Sequence, residues 1–351
     1  MARSLFSYCA QFVPSWLYAA ILIRLYRFEA SVYAFKITKL VFRILSGTSE
    51  LERICHPDQA NSIEISYIER RDKYNDAGGA SSPQLKSIKG DPLTLLLVDW
   101  SISHSTKLLV ERRMLDSGYA DISLVTKNIL KKKEFPAMGS TETLEASILH
   151  DTLGPIVGSR FLEKEMNELS NTKYDATNKR HEQKLLELWN ALKPNEPLKD
   201  RISLQWESIG FQGRDPASDF RGMGILGLED LLYFSKTYSE VARAVLERSN
   251  HPTSWYSFAL AGIHITAYSL ELLRTRLLQM QLFQHGVSRT TCQEIYCFLF
   301  VQFDAFWFSR EVAPTVMDFE ILFSQFRNQI RHRLFQLRPL PLPTRLKLKA
   351  A

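Results

Sequence analysis

Between Arg201 and Phe234 the chain reads RISLQWESIGFQGRDPASDFRGMGILGLEDLLYF, and here its residue types depart furthest from what core packing requires. Arg214 and Arg221 stand among Gln212, Asp215 and Asp219, with Gly210, Gly213, Gly222, Gly224 and Gly227 spaced between them. Glycine frees the backbone, so this density predicts a shaped loop. Two readings of Arg221 stand side by side. It can be a loop arginine held by Asp215 or Asp219, with glycines that let neighbouring helices approach. It can also be a permanently charged, planar fork of donors offered to a phosphate on another molecule. Phosphoryl transfer depends on positioned charge more than on covalent chemistry, and an arginine supplied to a bound nucleoside triphosphate accelerates hydrolysis by about 10³–10⁵. Arg214 is a rival for the same role. Gln212 either positions water or satisfies backbone groups of the loop, and Trp206 and Phe211 read as packing anchors.

Other site chemistries find less support. Gly222-Met-Gly224-Ile-Leu-Gly227 satisfies G-x-G-x-x-G, and Glu247 follows at the distance a dinucleotide fingerprint asks. That fingerprint needs a strand before it and another after its helix, whereas the flanking segments here are turn-like and then helical. No G-x-x-x-x-G-K-[ST] occurs, so the chain has no phosphate-binding loop of its own. Cys9, Cys55, Cys292 and Cys297 stand singly, the eight histidines are scattered, and no metal-ligand spacing emerges. The thiols read as reduced. The net charge of +6 is modest and gathers at Arg24–Arg43, Lys131–Lys133 and Arg338–Lys349. Without a stripe of arginines and aromatics or a recognition-helix pattern, it does not point to nucleic acid.

The elements that must hold the loop are helical. Apolar residues fall three and four apart over Lys107–Leu115, Asp121–Lys132, Phe161–Leu169 and His181–Leu192, and Ser140-Thr-Glu-Thr offers another helix start. Lys193-Pro194 ends the last of these. Leu93–Val98 is apolar but too short for periodicity to separate helix from strand. After the loop, Leu228–Leu246 keeps the helical period. Trp255–Phe283 reads as one long helix through the core, and Gln293–Phe308 and Val316–Leu337 carry aromatic stripes that read as core. With 45% hydrophobic residues and no run of β-alternation, the fold class is all-α, a multi-helix bundle with an apolar-basic N-terminal helical segment.

Composition divides the chain further. Residues 1–45 combine the uncharged run Ser4–Ile23, interrupted by Pro14, with a block bearing Arg24, Arg27, Lys36, Lys39 and Arg43 among aromatics. That pattern predicts a membrane-associating segment, with a buried core helix and a cleaved signal as alternatives. Residues 46–92 are polar and turn-rich and read as a flexible linker, with a short strand at Ile63–Ile68. Residues 93–180 read as the N-terminal part of a helical body, 181–337 as its main domain, and 338–351 as a disordered basic tail.

From Trp206 the string W-x-x-x-G-F-Q-G-x-x-P-x-x-D-F-R-G-M-G-x-x-G-L-x-x-L-x-Y-F resembles the signature of the ELMO domain-containing (ELMOD) family. The resemblance covers His181 to Leu337 and extends more loosely to Ile156-Val-Gly-Ser-Arg160 and to Lys39–Cys55. It implies an ELMO domain that activates Arf and Arf-like (Arl) small GTPases in their GTP-bound state. In that family the arginine of D-F-R-G, Arg221 here, is the catalytic finger, while the related ELMO scaffold proteins of Rac activation complexes lack it. Ser218 stands where the family usually has threonine, and the Asn250–Tyr256 loop is shorter than in relatives with a charged insertion. On this resemblance Asp219, Asp215, Gln212, Gly222 and Gly224 support Arg221. The chain would need no cofactor in its own fold, since GTP and Mg²⁺ belong to the partner. It would be cytoplasmic and peripheral to, or anchored on, an intracellular membrane through residues 1–45. A non-catalytic scaffold and a membrane tether without a GTPase partner remain the alternatives.

Overall fold

The computed structural model describes residues 40, 43–44, 47–56, 91–135, 143–336, 340 and 342. In chain order its helices are α1 (Glu50–Cys55), α2 (Pro92–Ser103), α3 (Leu109–Asp116), α4 (Ile122–Lys132), α5 (Leu144–Asn171) and α6 (Lys179–Leu192). There follow α7 (Gly224–Thr237), α8 (Ser239–Ser249), α9 (Phe258–Arg274), α10 (Gln279–His285), α11 (Arg289–Phe308) and α12 (Phe319–Phe335). Short 3₁₀ turns span Leu204–Ile209, Pro216–Arg221 and Val316–Asp318. Among the described residues there is no strand, and the protein is an all-α, multi-helix bundle. Most of the proposed membrane segment, the short strand at Ile63–Ile68 and most of the basic tail lie outside the described residues. No described helix is long and apolar enough to cross a membrane.

The chain forms two compact units. One takes the described residues of Met1–Leu162 together with Gln279–Val287, and the other takes those of Glu163–Leu278 and Ser288–Ala351. The division falls inside α5, ahead of the compositional break near residue 180, because the Leu144 and Phe161 periodic segments join into one helix that contains Pro155.

In the first unit, Asp91 caps α2 by accepting from the Thr94 N–H at 2.9 Å, and Pro92 occupies the first turn, where its missing donor costs nothing. This start signal settles Leu93–Val98 as helix. All six residues of that run are buried, so α2 is the unit's central element and packs against α1, α3 and α10. Residues Glu50–Cys55 correct the linker reading. Ser49 and Glu52 form a reciprocal capping box, and Leu51, Ile54 and Cys55 are fully buried. Buried Asp99 on α2 accepts both Arg160 Nη2 contacts, at 2.7 and 2.8 Å, and the Gln279 amide at 2.5 Å.

In the second unit α6 packs on α7, α7 on α9 and α11, and α11 on α12. The aromatic stripes are core: Phe234, Phe258 and Phe300 cluster together, while Phe303 touches Tyr256, Trp307, Phe319, Phe323 and Phe326. The single helix expected over Trp255–Phe283 is corrected to two. Arg276 takes a φ of 61°, which ends α9 and sends α10 into the other unit.

Asp230 on α7 is buried beneath this core. One carboxylate oxygen accepts from Thr266 Oγ1 at 3.0 Å, and the other has no hydrogen-bond partner among the described residues. Burial pushes its pKa up from 3.8 to about 7, with the Thr266 bond opposing. The folded value is raised, so its stabilising contribution is complete below pH 3.8 and is lost as pH rises through about 7. At about 1.4 kcal/mol per pKa unit, the loss amounts to a few kcal/mol. Asp230→Asn cannot ionise, so its Tm should fall less than that of the wild type between pH 5 and 8. Parallel Tm curves for the two proteins would contradict this assignment.

Candidate functional site

The glycine-rich stretch folds into two 3₁₀ turns laid over an aromatic column. Ser203 opens the first by accepting from the Gln205 N–H at 3.2 Å. Asp215 opens the second: its Oδ1 accepts from the Ala217 N–H at 3.1 Å, with Pro216 in the first position. The same carboxylate pairs with Arg201 Nη1 at 2.9 Å, which ties the start of the stretch to the second turn. Asp219 is buried and accepts from the backbone N–H of Gln212 at 2.7 Å, closing the loop between the turns. Burial raises the Asp219 pKa, while the Gln212 bond and the nearby charge of Arg221 pull it down.

Phe220 is the anchor. It is 1% exposed, stacks on Tyr174 at 5.9 Å and meets Phe211 edge-on at 5.5 Å. Phe211 contacts Trp206, and Trp206 contacts Trp189 at 5.3 Å. Both indole N–H groups are satisfied by backbone, Trp206 by the Arg201 carbonyl and Trp189 by the Glu196 carbonyl, each at 2.7 Å. Successive side chains on a 3₁₀ turn point about a third of a revolution apart. With Phe220 driven inward, Arg221 is turned out to solvent.

Arg221 and the adjacent Gly222 are exposed. The Arg221 guanidinium has no hydrogen-bond or ion-pair partner among the described residues; Asp219 feels its charge, but the hydrogen bonds of Asp215 and Asp219 go to Arg201, Ala217, Gln212 and Ser218. The acids therefore shape the backbone that carries Arg221 rather than gripping its side chain. The Gln212 side chain is exposed, and among the described residues only its backbone N–H is engaged. Arg214 is also exposed, and its carbonyl accepts from the Ser203 N–H at 3.0 Å. It follows Gly213, not a buried anchor.

Gly224 starts α7 with a φ of +51°, and the Ile225 N–H donates to the Thr172 carbonyl at the end of α5 at 2.8 Å. The early backbone donor that a dinucleotide fingerprint would turn toward a pyrophosphate is spent on protein here, so the G-x-G-x-x-G string serves helix packing. Three contributors lie beyond the motif as read from sequence: Arg201, which holds Asp215, Tyr174, which stacks on Phe220, and Thr172, which receives α7. Arg201 was visible as a charge within the stretch, whereas Tyr174 and Thr172 carry no local signal. Ile202 and Leu204 are 48% and 57% exposed, giving the loop an apolar margin.

Fold and site together define an all-α module that presents an arginine on a rigid turn. Residues 164–323, beginning where the second unit begins, match the ELMO/CED-12 family. The chain is 31% identical over 299 residues to ELMO domain-containing protein B of Dictyostelium discoideum, an alignment covering 85% of this chain and 94% of that protein. It is 32% identical over 334 residues to ELMO domain-containing protein 1 of Bos taurus, covering 89% and 92% of the two chains. With ELMO domain-containing protein 2 of Homo sapiens it shares 41% identity over 179 residues, 50% of this chain and 61% of that one. No solved structure matches. The chain belongs to the ELMO domain-containing family.

Proposed function

We propose that this protein is a GTPase-activating protein that supplies Arg221 in trans to a GTP-bound Arf- or Arl-family small GTPase. One observation carries the reading: a guanidinium stands in solvent, without a hydrogen-bond or ion-pair partner among the described residues, on a turn fixed by Phe220, Asp215 and Asp219. An arginine used only to hold its own loop would be expected to spend its donors there, as Arg201 does on Asp215. Presented to a partner's nucleotide, the fork offsets charge that develops on the γ-phosphate oxygens in the transition state. Asp215 and Asp219 fix the turn, Gln212 lends its backbone N–H, Gly222 leaves the approach open and Gly224 seats the helix behind it. GTP and Mg²⁺ are the partner's, and the chain has no hydrolytic site of its own. Residues 1–45 associate with an intracellular membrane and place the activator on its cytoplasmic face.

The test is single-turnover GTP hydrolysis by purified Arf- and Arl-family proteins, each with and without this protein. At least one partner should hydrolyse about 10³-fold faster or more. Binding to GTP-loaded partners with no acceleration of any of them would overturn the reading in favour of a non-catalytic scaffold.

A further inference from the structure

The basic run Lys131–Lys133 has no part in the arginine turn, yet the first unit gathers further charge around it. Arg43 Nη2 lies 3.0 Å from Glu134 Oε2, which brings the helical residues Leu40, Arg43 and Ile44 to the C-terminal end of α4. Lys132 Nζ lies 2.8 Å from Glu111 Oε1, which brings α3 to the same end. Glu111 is buried, so Lys132 is committed to it, while Lys107 and Lys131 are exposed and make no ion pair among the described residues. Lys133 completes the cluster. Burial, then the positive charges of Lys107 and Arg43, hold its pKa down to about 8. Five cations thus share two carboxylates, Glu111 and Glu134.

Aliphatic side chains stand exposed beside these charges. Leu40 is 58% and Ile44 72% exposed, and as an i, i+4 pair they share a face with Arg43. Leu109 and Val110, in the first turn of α3, are 40% and 55% exposed. Ammonium and guanidinium groups mixed with aliphatic side chains match the boundary of a bilayer, where headgroup anions lie directly above acyl chains. A nucleic acid backbone would satisfy the cations and leave the aliphatics in water. In sequence, Arg43 also ends the block of Arg24, Arg27, Lys36 and Lys39 that follows the uncharged Ser4–Ile23.

We infer that Arg43, Lys107, Lys131 and Lys133, with Leu40, Ile44, Leu109 and Val110, form a contact face for the anionic surface of a phospholipid bilayer. This face belongs to the folded first unit and is independent of the role given to Arg221. It extends the membrane association proposed for residues 1–45 onto α3 and the end of α4, and holds the body against the membrane beyond any anchoring by residues 1–39.

The experiment is co-sedimentation of the full chain with phosphatidylcholine vesicles, with and without about a one-third share of phosphatidylserine. Wild type should bind the anionic vesicles more tightly, and added salt should weaken that preference. At roughly fivefold per lysine, Lys107→Gln/Lys131→Gln/Lys133→Gln should lose about a hundredfold in binding to anionic vesicles. Leu109→Ser/Val110→Ser should weaken binding to both vesicle types by about tenfold. The control Lys173→Gln/Lys179→Gln/Lys199→Gln removes three exposed charges from the second unit and should stay within about twofold of wild type. Circular dichroism confirms folding, and Lys107→Gln/Lys131→Gln, both at exposed positions, gives the same reading should the Lys133 change disturb the fold. Equal wild-type binding to both vesicle types, undiminished binding by the folded lysine variants, or an equal loss in the control would each overturn the proposal.

Discussion

Arg221→Lys should remove most of the stimulated GTP hydrolysis and leave the protein folded and bound to its GTP-loaded partner. Lysine keeps a positive charge but replaces a planar fork of donors by a point charge on a flexible stem, so bidentate contact with phosphate oxygens is lost. A loss of about 10³-fold in the single-turnover rate is expected. Binding should change little, because a finger contributes chiefly in the transition state. The fold should respond little, since the guanidinium makes no hydrogen bond or ion pair within the described residues. Arg214→Ala is the internal control and should retain most of the activity. If folded Arg221→Lys stimulates hydrolysis as wild type does, Arg221 is not the finger.

Gly224→Ala should produce a large loss of stability. Its φ of +51° is costly for any residue with a Cβ, and the added carbon would lie 2.3 Å from the Thr172 carbonyl oxygen, 2.7 Å from that of Ser170 and 2.9 Å from that of Leu169. These are backbone atoms at the end of α5 and cannot rotate away. The start of α7 must move, and the bond from the Ile225 N–H to Thr172 goes with it. A cost of about 3 kcal/mol or more is expected, or roughly 10 °C in Tm for a unit of this size. Gly222→Ala is the contrast. No atom lies within 4 Å of its added carbon and its φ is −84°, so its Tm should match wild type. Any stimulation lost by that variant would then report on the approach of the partner. Thermal unfolding of both variants decides the matter, and a wild-type Tm for Gly224→Ala would refute the packing argument.

Much of this is legible in the sequence. Helix starts at Asp121 and ends at Lys193 followed the local chemistry of caps and proline, and the aromatic stripes of α11 and α12 proved to be core. The loop stood out by composition, and the family resemblance singled out Arg221 within it. Glu50–Cys55 did not, because a helix of six residues is too short to display a period amid polar neighbours, although Ser49 and Glu52 had the spacing of a capping box. The break at Arg276 was hidden for another reason: a positive φ at arginine is imposed by tertiary structure and has no residue signature. The assignment of Asp215 to Arg201 was equally out of reach. Arg201, Arg214 and Arg221 offer the same charge, and only the direction of the turn decides which one meets the carboxylate.

The separation between the contacts that build the turn and the side chain it displays has a consequence in heredity. Phe220, Asp215, Asp219 and Gly224 hold the shape, and nothing described leans on Arg221. On the proposed function, a missense change in that one codon would leave a product that is made, survives cellular quality control and still occupies its partner. Such an allele would compete with the product of the intact copy and act dominantly, whereas an allele altered at Gly224 would be cleared by quality control and behave as a recessive loss.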